Sequence, residues 1–264
     1  MTGARTTRTK SAWGSASTGK ACSLEIALEN QLLATLPRAV LMRLQPSFQL
    51  VHLEKKEVLF RAHEPLRVAY FPITAVVSFV AQLESGQSLE VGLVGRDGLA
   101  GTAVLPGIVT MTCDGVVQIP GSALRLSADV LRYELLTNEE LSWTIARYAQ
   151  VLLVRSMQMS LCNMFHSVEQ RCIRWLLTVN DVMDGNDLPL THDLIATMLG
   201  VRRPTVSLVL GSLRRAGLVS EQRGRVWIRS RQKLEAACCE CYDVMREEQR
   251  RLLGSGAGSQ GAYT

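Results

Sequence analysis

Between positions 187 and 230 seven arginines (Arg202, Arg203, Arg214, Arg215, Arg223, Arg225 and Arg229) face only three acids. Guanidinium groups grip phosphate through two parallel N–H···O bonds, and the same fork fits the edge of a guanine. Thr191, His192, Thr205 and Ser207 stand among them and can reach bases or backbone. A solvated basic face has the same composition, so charge alone does not decide the partner. The cysteines offer a second chemistry. Cys238, Cys239 and Cys241 occur as CCEC within Gln232 to Leu253, a stretch with helical spacing. On one helix Cys238 and Cys241 share a face and Cys239 points elsewhere, so a tetrahedral metal site would need ligands from another element. Small buried hydrophobes are the default, and no metal ligand is assigned. The histidines form no His-x-His pair. His52 and His63 are isolated, while His166 could ligate haem but is more simply structural. Without an acid–base or nucleophile constellation the chain is not expected to be an enzyme, and a cupin-like metal enzyme is the different-class alternative.

The arginines need elements to aim them. Thr191 can cap a short helix with Asp193 in its first turn and Leu194, Ile195 and Met198 on its apolar face. Leu199-Gly200-Val201 predicts a tight turn whose glycine takes a left-handed conformation. Pro204 suits the first turn of a second helix, with Val206, Leu210 and Leu213 inward and Gly217 at its end. Leu218–Glu221 and Val226–Arg229 then flank Gln222-Arg223-Gly224-Arg225 as a two-stranded wing. Helix, turn, helix and wing make a winged helix-turn-helix, which places its second helix in a DNA major groove. Arg202 and Arg203 stand at the N-terminal end of that helix, while Arg223 and Arg225 are placed to meet phosphate.

Upstream the pattern differs. Hydrophobic residues make up 47% and charged residues 20% of the 264 positions, which excludes wholesale disorder and a fibrous protein. Residues 1–24 carry four bases and no acid, with no secretory apolar run behind them, and read as a disordered basic tail. One short helix is expected over Leu24–Leu36, closed by Pro37, and a second through Leu44 to Pro46. Period-two runs then predict strands at Gln49–Leu53, Glu57–Phe60, Val76–Leu83, Leu89–Leu93 and Val116–Ile119, with a hairpin turn at Glu84–Gln87. After Ser127, a candidate cap, the helical period returns. Leu141, Ile145, Tyr148, Leu152, Arg155, Met159 and Cys162 step by four and three, an a/d seam expected to form a parallel coiled-coil dimer. A helix packed on its own sheet would show the same spacing. A further helix over Ser167–Met183 buries Cys172, Trp175 and Leu176, and the end, GSGAGSQGAYT, reads as flexible. The longest apolar run, Val68–Leu83, is broken by Pro72 and too short to span a membrane. Seven cysteines without a framework suit reduced thiols in the cytoplasm.

YFPITAVVSFV (70–80), LEVGLVGRDGLAG (89–101), SVEQRCIRWLL (167–177) and LIATMLGVRRPTVSLVLGSLRRAGLV (194–219) together resemble the Crp/Fnr superfamily of bacterial transcription regulators. The resemblance implies an α+β chain in five parts. These are the tail (1–24), a cyclic-nucleotide-binding-like antiparallel β-roll (25–136), a dimerisation helix (137–165), a winged helix-turn-helix (166–232) and a C-terminal helix with its end (233–264). It also implies double-stranded DNA with an inverted-repeat operator, a second copy of the chain and RNA polymerase as partners. Val91, Gly95, Gly98, Leu99 and Gly101 fall where the family's roll holds its effector. Cyclic-nucleotide binders of the family use a Gly-Glu pair and an Arg-Ser/Thr pair. Here the first stretch is Gly95-Arg96-Asp97-Gly98 and the second, Gly107–Gly115, has no arginine, so cyclic AMP is not expected. The family's iron–sulfur sensors use clustered N-terminal cysteines, and this tail has Cys22 alone, so that cluster is not expected either. The effector is left open. A thiol- or metal-responsive regulator using the C-terminal cysteines is the alternative.

Overall fold

The computed structural model describes residues 22–183 and 185–254. Most of the expected basic tail, through residue 21, and the glycine-rich end from residue 255 lie outside the described residues. The chain opens with α1 (Leu24–Leu28), α2 (Gln31–Ala34), α3 (Arg38–Leu44) and a 3-10 turn, Gln45–Ser47. Asn30 splits the single helix expected over 24–36. Its side chain caps α2 by accepting from Leu33 N–H, and its amide donates to the Pro72 and Gly98 carbonyls, both at 2.9 Å. The helices are thereby pinned to the sheet region.

Seven antiparallel strands follow: β1 (Gln49–Leu53), β2 (Val58–Phe60), β3 (Val68–Pro72), β4 (Val76–Gln82), β5 (Ser88–Val94), β6 (Asp114–Ile119) and β7 (Gly121–Ser127). They form two sheets, ordered β1-β7-β3 and β2-β6-β4-β5. The predicted hairpin closes between Gln82 and Ser88. Phe48, Phe71, Leu99, Leu124 and Leu126 fill the core, with Phe48 edge-on to Phe71. Strands β3 and β7 were not expected. β3, VAYFP, is apolar throughout, so no polar–apolar alternation marks it in the sequence. Ser127 ends β7 and stands at the N-cap position of the following helix, α4 (Ala128–Thr137), without a side-chain cap bond.

Asn138 caps the long helix α5 (Glu139–Phe165) by accepting from Leu141 N–H at 2.9 Å. The seam expected to face a second chain faces its own instead. Leu141, Ile145 and Tyr148 are fully buried in the roll's core, and Leu152 packs against it. Arg155 is paired with buried Asp97 at 2.7 Å, Met159 lines a small internal cavity, and Cys162 is covered by Cys239 and Cys241. A 4-3 spacing identifies residues that share a face, and here the sheet supplies the partner. The opposite face carries Trp143, Leu153, Met157, Leu161, Met164 and Phe165, each more than half exposed.

The C-terminal part comprises α6 (Val168–Val182), β8 (Asp187–Leu188), α7 (His192–Leu199), α8 (Arg203–Arg215), β9 (Val219–Gln222), β10 (Arg225–Ile228), α9 (Arg231–Ala236) and α10 (Cys241–Leu253). A reciprocal capping box, Ser167 with Gln170, starts α6. Val76, Leu93 and Ile119 of the roll bury with the apolar faces of α6, α7 and α8, so the two halves share a core.

Within that shared core lies a carboxyl group. Glu90 of β5 is 2% exposed and accepts hydrogen bonds from Ser78 Oγ at 2.5 Å and Trp175 Nε1 at 2.8 Å. Burial pushes its carboxyl up to about 7, partly opposed by those bonds and by the Arg174 guanidinium. The native state therefore holds a proton that the unfolded chain, with an ordinary value of 4.5, has released. Its contribution to stability is full below about pH 4.5 and is lost as pH rises through about 7. Glu90→Gln keeps the shape without the titration. Above pH 7 it is expected to be more stable than the parent by on the order of 2–3 kcal/mol, with a flatter pH profile in urea unfolding. A parent and variant with parallel profiles would place the titration elsewhere.

Candidate nucleic-acid interface

The motif is built by local chemistry. Thr191 Oγ1 accepts from Leu194 N–H and starts α7. Gly200 ends it at φ 63°, a left-handed conformation that favours glycine. The chain then bends by 108° into α8, whose first turn tolerates Pro204 because that N–H would be unpaired anyway. Val206, Leu210 and Leu213 are buried beneath α8, and Gly217 follows its end at φ 70°. The wing is tighter than expected. Gln222 pairs with Arg225, leaving Arg223 and Gly224 as a two-residue turn with φ values of 48° and 76°. β8 adds a third strand beside β10, through Asp187 and Leu188.

The eight proposed contact residues differ in exposure and in their ties to the scaffold. Arg202 precedes α8 and is exposed. Arg203 is 65% exposed at its side chain and sits 3.5 Å from Asp193, a loose pair that water screens. Thr205 is half-buried. Ser207 is committed to the scaffold, bonded to His192 Nδ1 at 2.9 Å, while His192 Nε2 meets Glu221 at 2.7 Å. Thr191 serves as the cap. On the wing Arg223 stands exposed at the turn. Arg225 is instead held by both oxygens of Asp187, at 2.8 and 2.7 Å. The pair draws the Asp187 carboxyl below its ordinary value and raises that of the guanidinium. A phosphate contact by Arg225 would therefore compete with its pairing to Asp187. Leu208 on the same helix is 75% exposed.

The five positions expected to hold an effector are engaged in packing contacts. A Cβ on Gly95 would lie 2.7 Å from Val182 of α6, and one on Gly98 would overlap the Tyr148 ring of α5. Gly101 bends at φ 114°, Leu99 is fully buried, and the Val91 carbonyl accepts from Ser156 of α5. Close packing on α6 and α5 accounts for Gly95 and Gly98, while Gly101 packs on Leu66 and Ala69. A cleft of about 500 Å³ lies instead between α2, Arg96-Asp97 and α10, bordered by Glu29, Asp181, Arg246 and Arg250. No single helix among the described residues is long and apolar enough to cross a membrane.

Residues 170–237 match the family model of the Crp-like helix-turn-helix domain. A comparison with curated proteins finds no match. Solved structures match much more of the chain. FixK2 from Bradyrhizobium japonicum is 17% identical, over 73% of this chain and 98% of that one, with a TM-score of 0.63. The c-di-GMP-responsive global regulator CLP from Xanthomonas campestris is 17% identical, over 74% and 100%, with a TM-score of 0.59. A CRP family transcriptional regulator from Thermus thermophilus is 22% identical, over 71% and 95%, with a TM-score of 0.56. The chain thus carries a Crp-like helix-turn-helix domain, joined through a long helix to an antiparallel β-roll in the fold of the Crp/Fnr regulators.

Proposed function

We propose that the protein is a homodimeric, sequence-specific DNA-binding transcription regulator without catalytic activity. The observation that carries this is the exposed N-terminal end of α8, with Arg202 exposed and Arg203 held only loosely by Asp193, together with the exposed Arg223 turn of the wing. That arrangement suits a helix laid in the major groove and a wing on the flanking backbone. The dimer forms through the exposed face of α5, since the 4-3 seam is consumed within the chain. Met157 and Met164 follow Trp143 at intervals of fourteen and then seven residues along that face, with Leu153 between Trp143 and Met157. Two α8 helices then sit about 34 Å apart, matching one turn of DNA. The roll reads a signal other than cyclic AMP, because the Gly107–Gly115 stretch supplies no arginine for the phosphate and the space over Gly95 and Gly98 is taken by Val182 and Tyr148.

Fluorescence anisotropy on random duplex at several salt concentrations tests the electrostatic part. Affinity should fall linearly on logarithmic axes, and Arg223→Ala should flatten the slope by about one phosphate per wing. Arg225→Ala should change it less, given the Asp187 pair. Binding that is independent of salt would contradict a phosphate-contacting surface.

A further inference from the structure

Where α9 gives way to α10 the CCEC stretch leaves the helix, and this redirects its thiols. Cys238 stays at the rim, while Cys239 and Cys241 turn inward to meet the last turn of α5. There Cys162 and His166 stand four residues apart. The Sγ atoms of Cys162, Cys239 and Cys241 and a ring nitrogen of His166 all lie within 4.8 Å of one another. We propose that these four residues form a mononuclear site for a thiophilic divalent ion of the zinc class.

The dimensions are those of one ion. Bonds of about 2.3 Å to sulfur and 2.0–2.1 Å to nitrogen give tetrahedral edges of roughly 3.8 Å for S···S and 3.5 Å for S···N. The structure has 3.7 Å between Cys162 and Cys239 and 3.4 Å between Cys241 Sγ and His166 Nδ1. A cluster of several irons would need ligands spread further apart. Three buried thiols and an imidazole favour zinc over magnesium or calcium, which prefer oxygen. With three protein thiolates and a neutral imidazole every tetrahedral position is filled, so the site is structural and not catalytic.

The surroundings also suit an ion. Glu240 Oε2 lies 3.3 Å from His166 Nε2, on the far side of the ring from Nδ1, which faces the Cys241 thiol. A divalent ion with three thiolates carries a net charge of −1. The Arg174 guanidinium, 3% exposed and donating to Cys162 Sγ at 3.2 Å, answers it, and Gln158 donates to Cys241 Sγ at 3.2 Å. Binding releases the three thiol protons to water. The ion would tie the end of α5 to the start of α10, on either side of the helix-turn-helix.

Elemental analysis of the full chain, followed by reconstitution with cobalt(II), tests this without reference to DNA. The expected result is one ion per chain and the intense visible and near-ultraviolet bands of tetrahedral thiolate cobalt. Cys238→Ser should keep both, while Cys239→Ser and Cys241→Ser lose them. Glu240→Gln removes the carboxylate 3.3 Å from His166 Nε2 and should weaken cobalt binding by ~10-fold. No ion in the parent chain, an octahedral cobalt spectrum, or an intact mass showing a Cys162–Cys239 disulfide in place of the ion would overturn the site. So would equal loss in Cys238→Ser. The parent chain's own spectrum decides the matter even if a ligand variant fails to fold.

Discussion

Met157→Asp is expected to turn the dimer into folded monomers. Met157 is 62% exposed at the middle of the apolar face of α5, flanked by Leu153 and Leu161 at 52% and 51%. In a two-fold helix pair the substitution sets two carboxylates against each other in a desolvated seam. A buried charge without a partner costs ~3–5 kcal/mol, so the dimer's dissociation constant should rise by a hundredfold or more. Operator binding should fall with it, because each monomer then grips one half-site alone. The thermal melt should be little changed, since within one chain the residue is solvated. Leu141→Asp makes the contrast. That side chain is fully buried in the roll's core, so its loss should unfold the monomer and not merely separate it. Equilibrium sedimentation with a melting curve separates the two outcomes. A folded Met157→Asp protein that still sediments as a dimer would move the interface off this face.

Arg203→Ala should cost the cognate site ~1–3 kcal/mol while leaving random duplex nearly untouched. The side chain begins α8, is 65% exposed and is tethered only by a 3.5 Å approach to Asp193, itself 71% exposed. Exchanging that weak pair for a bidentate contact to a guanine loses little and gains two directed hydrogen bonds. Ser207 cannot take the role without giving up His192, and Arg225 cannot without giving up Asp187. Arg203→Lys should recover little, because a point charge lacks the planar fork. Equal losses on cognate and scrambled duplexes would make Arg203 a phosphate clamp.

The helix-turn-helix was legible because its signals are local. Thr191, Gly200, Pro204 and Gly217 each fix a backbone geometry within a few residues, whatever surrounds them. The β4–β5 hairpin was legible for the same reason. Long-range packing was not. The 4-3 spacing on α5 marks one face correctly, yet whether a sheet or a second helix covers it depends on residues far away in the chain. The second stripe, Trp143 to Phe165, was present in the sequence but masked by the stronger one. The glycines at 95 and 98 carry the look of a ligand loop, and only the positions of Val182 and Tyr148 show them to be contact points for helices. For the thiols, a continuous helix over 232–253 puts Cys238 and Cys241 together. The break at 237–240 selects Cys239 and Cys241 instead, and Cys162 and His166, four apart on α5, gave the only sequence hint of their partners.

Whether the protein is a two-fold reader of DNA is tested most directly by selection from a library of random duplexes with the purified full chain. The expected result is enrichment of an inverted repeat whose half-site centres lie about one helical turn apart, with a guanine in each half that Arg203→Ala no longer selects. Recovery of no common sequence, or of a single unrepeated site, would contradict it.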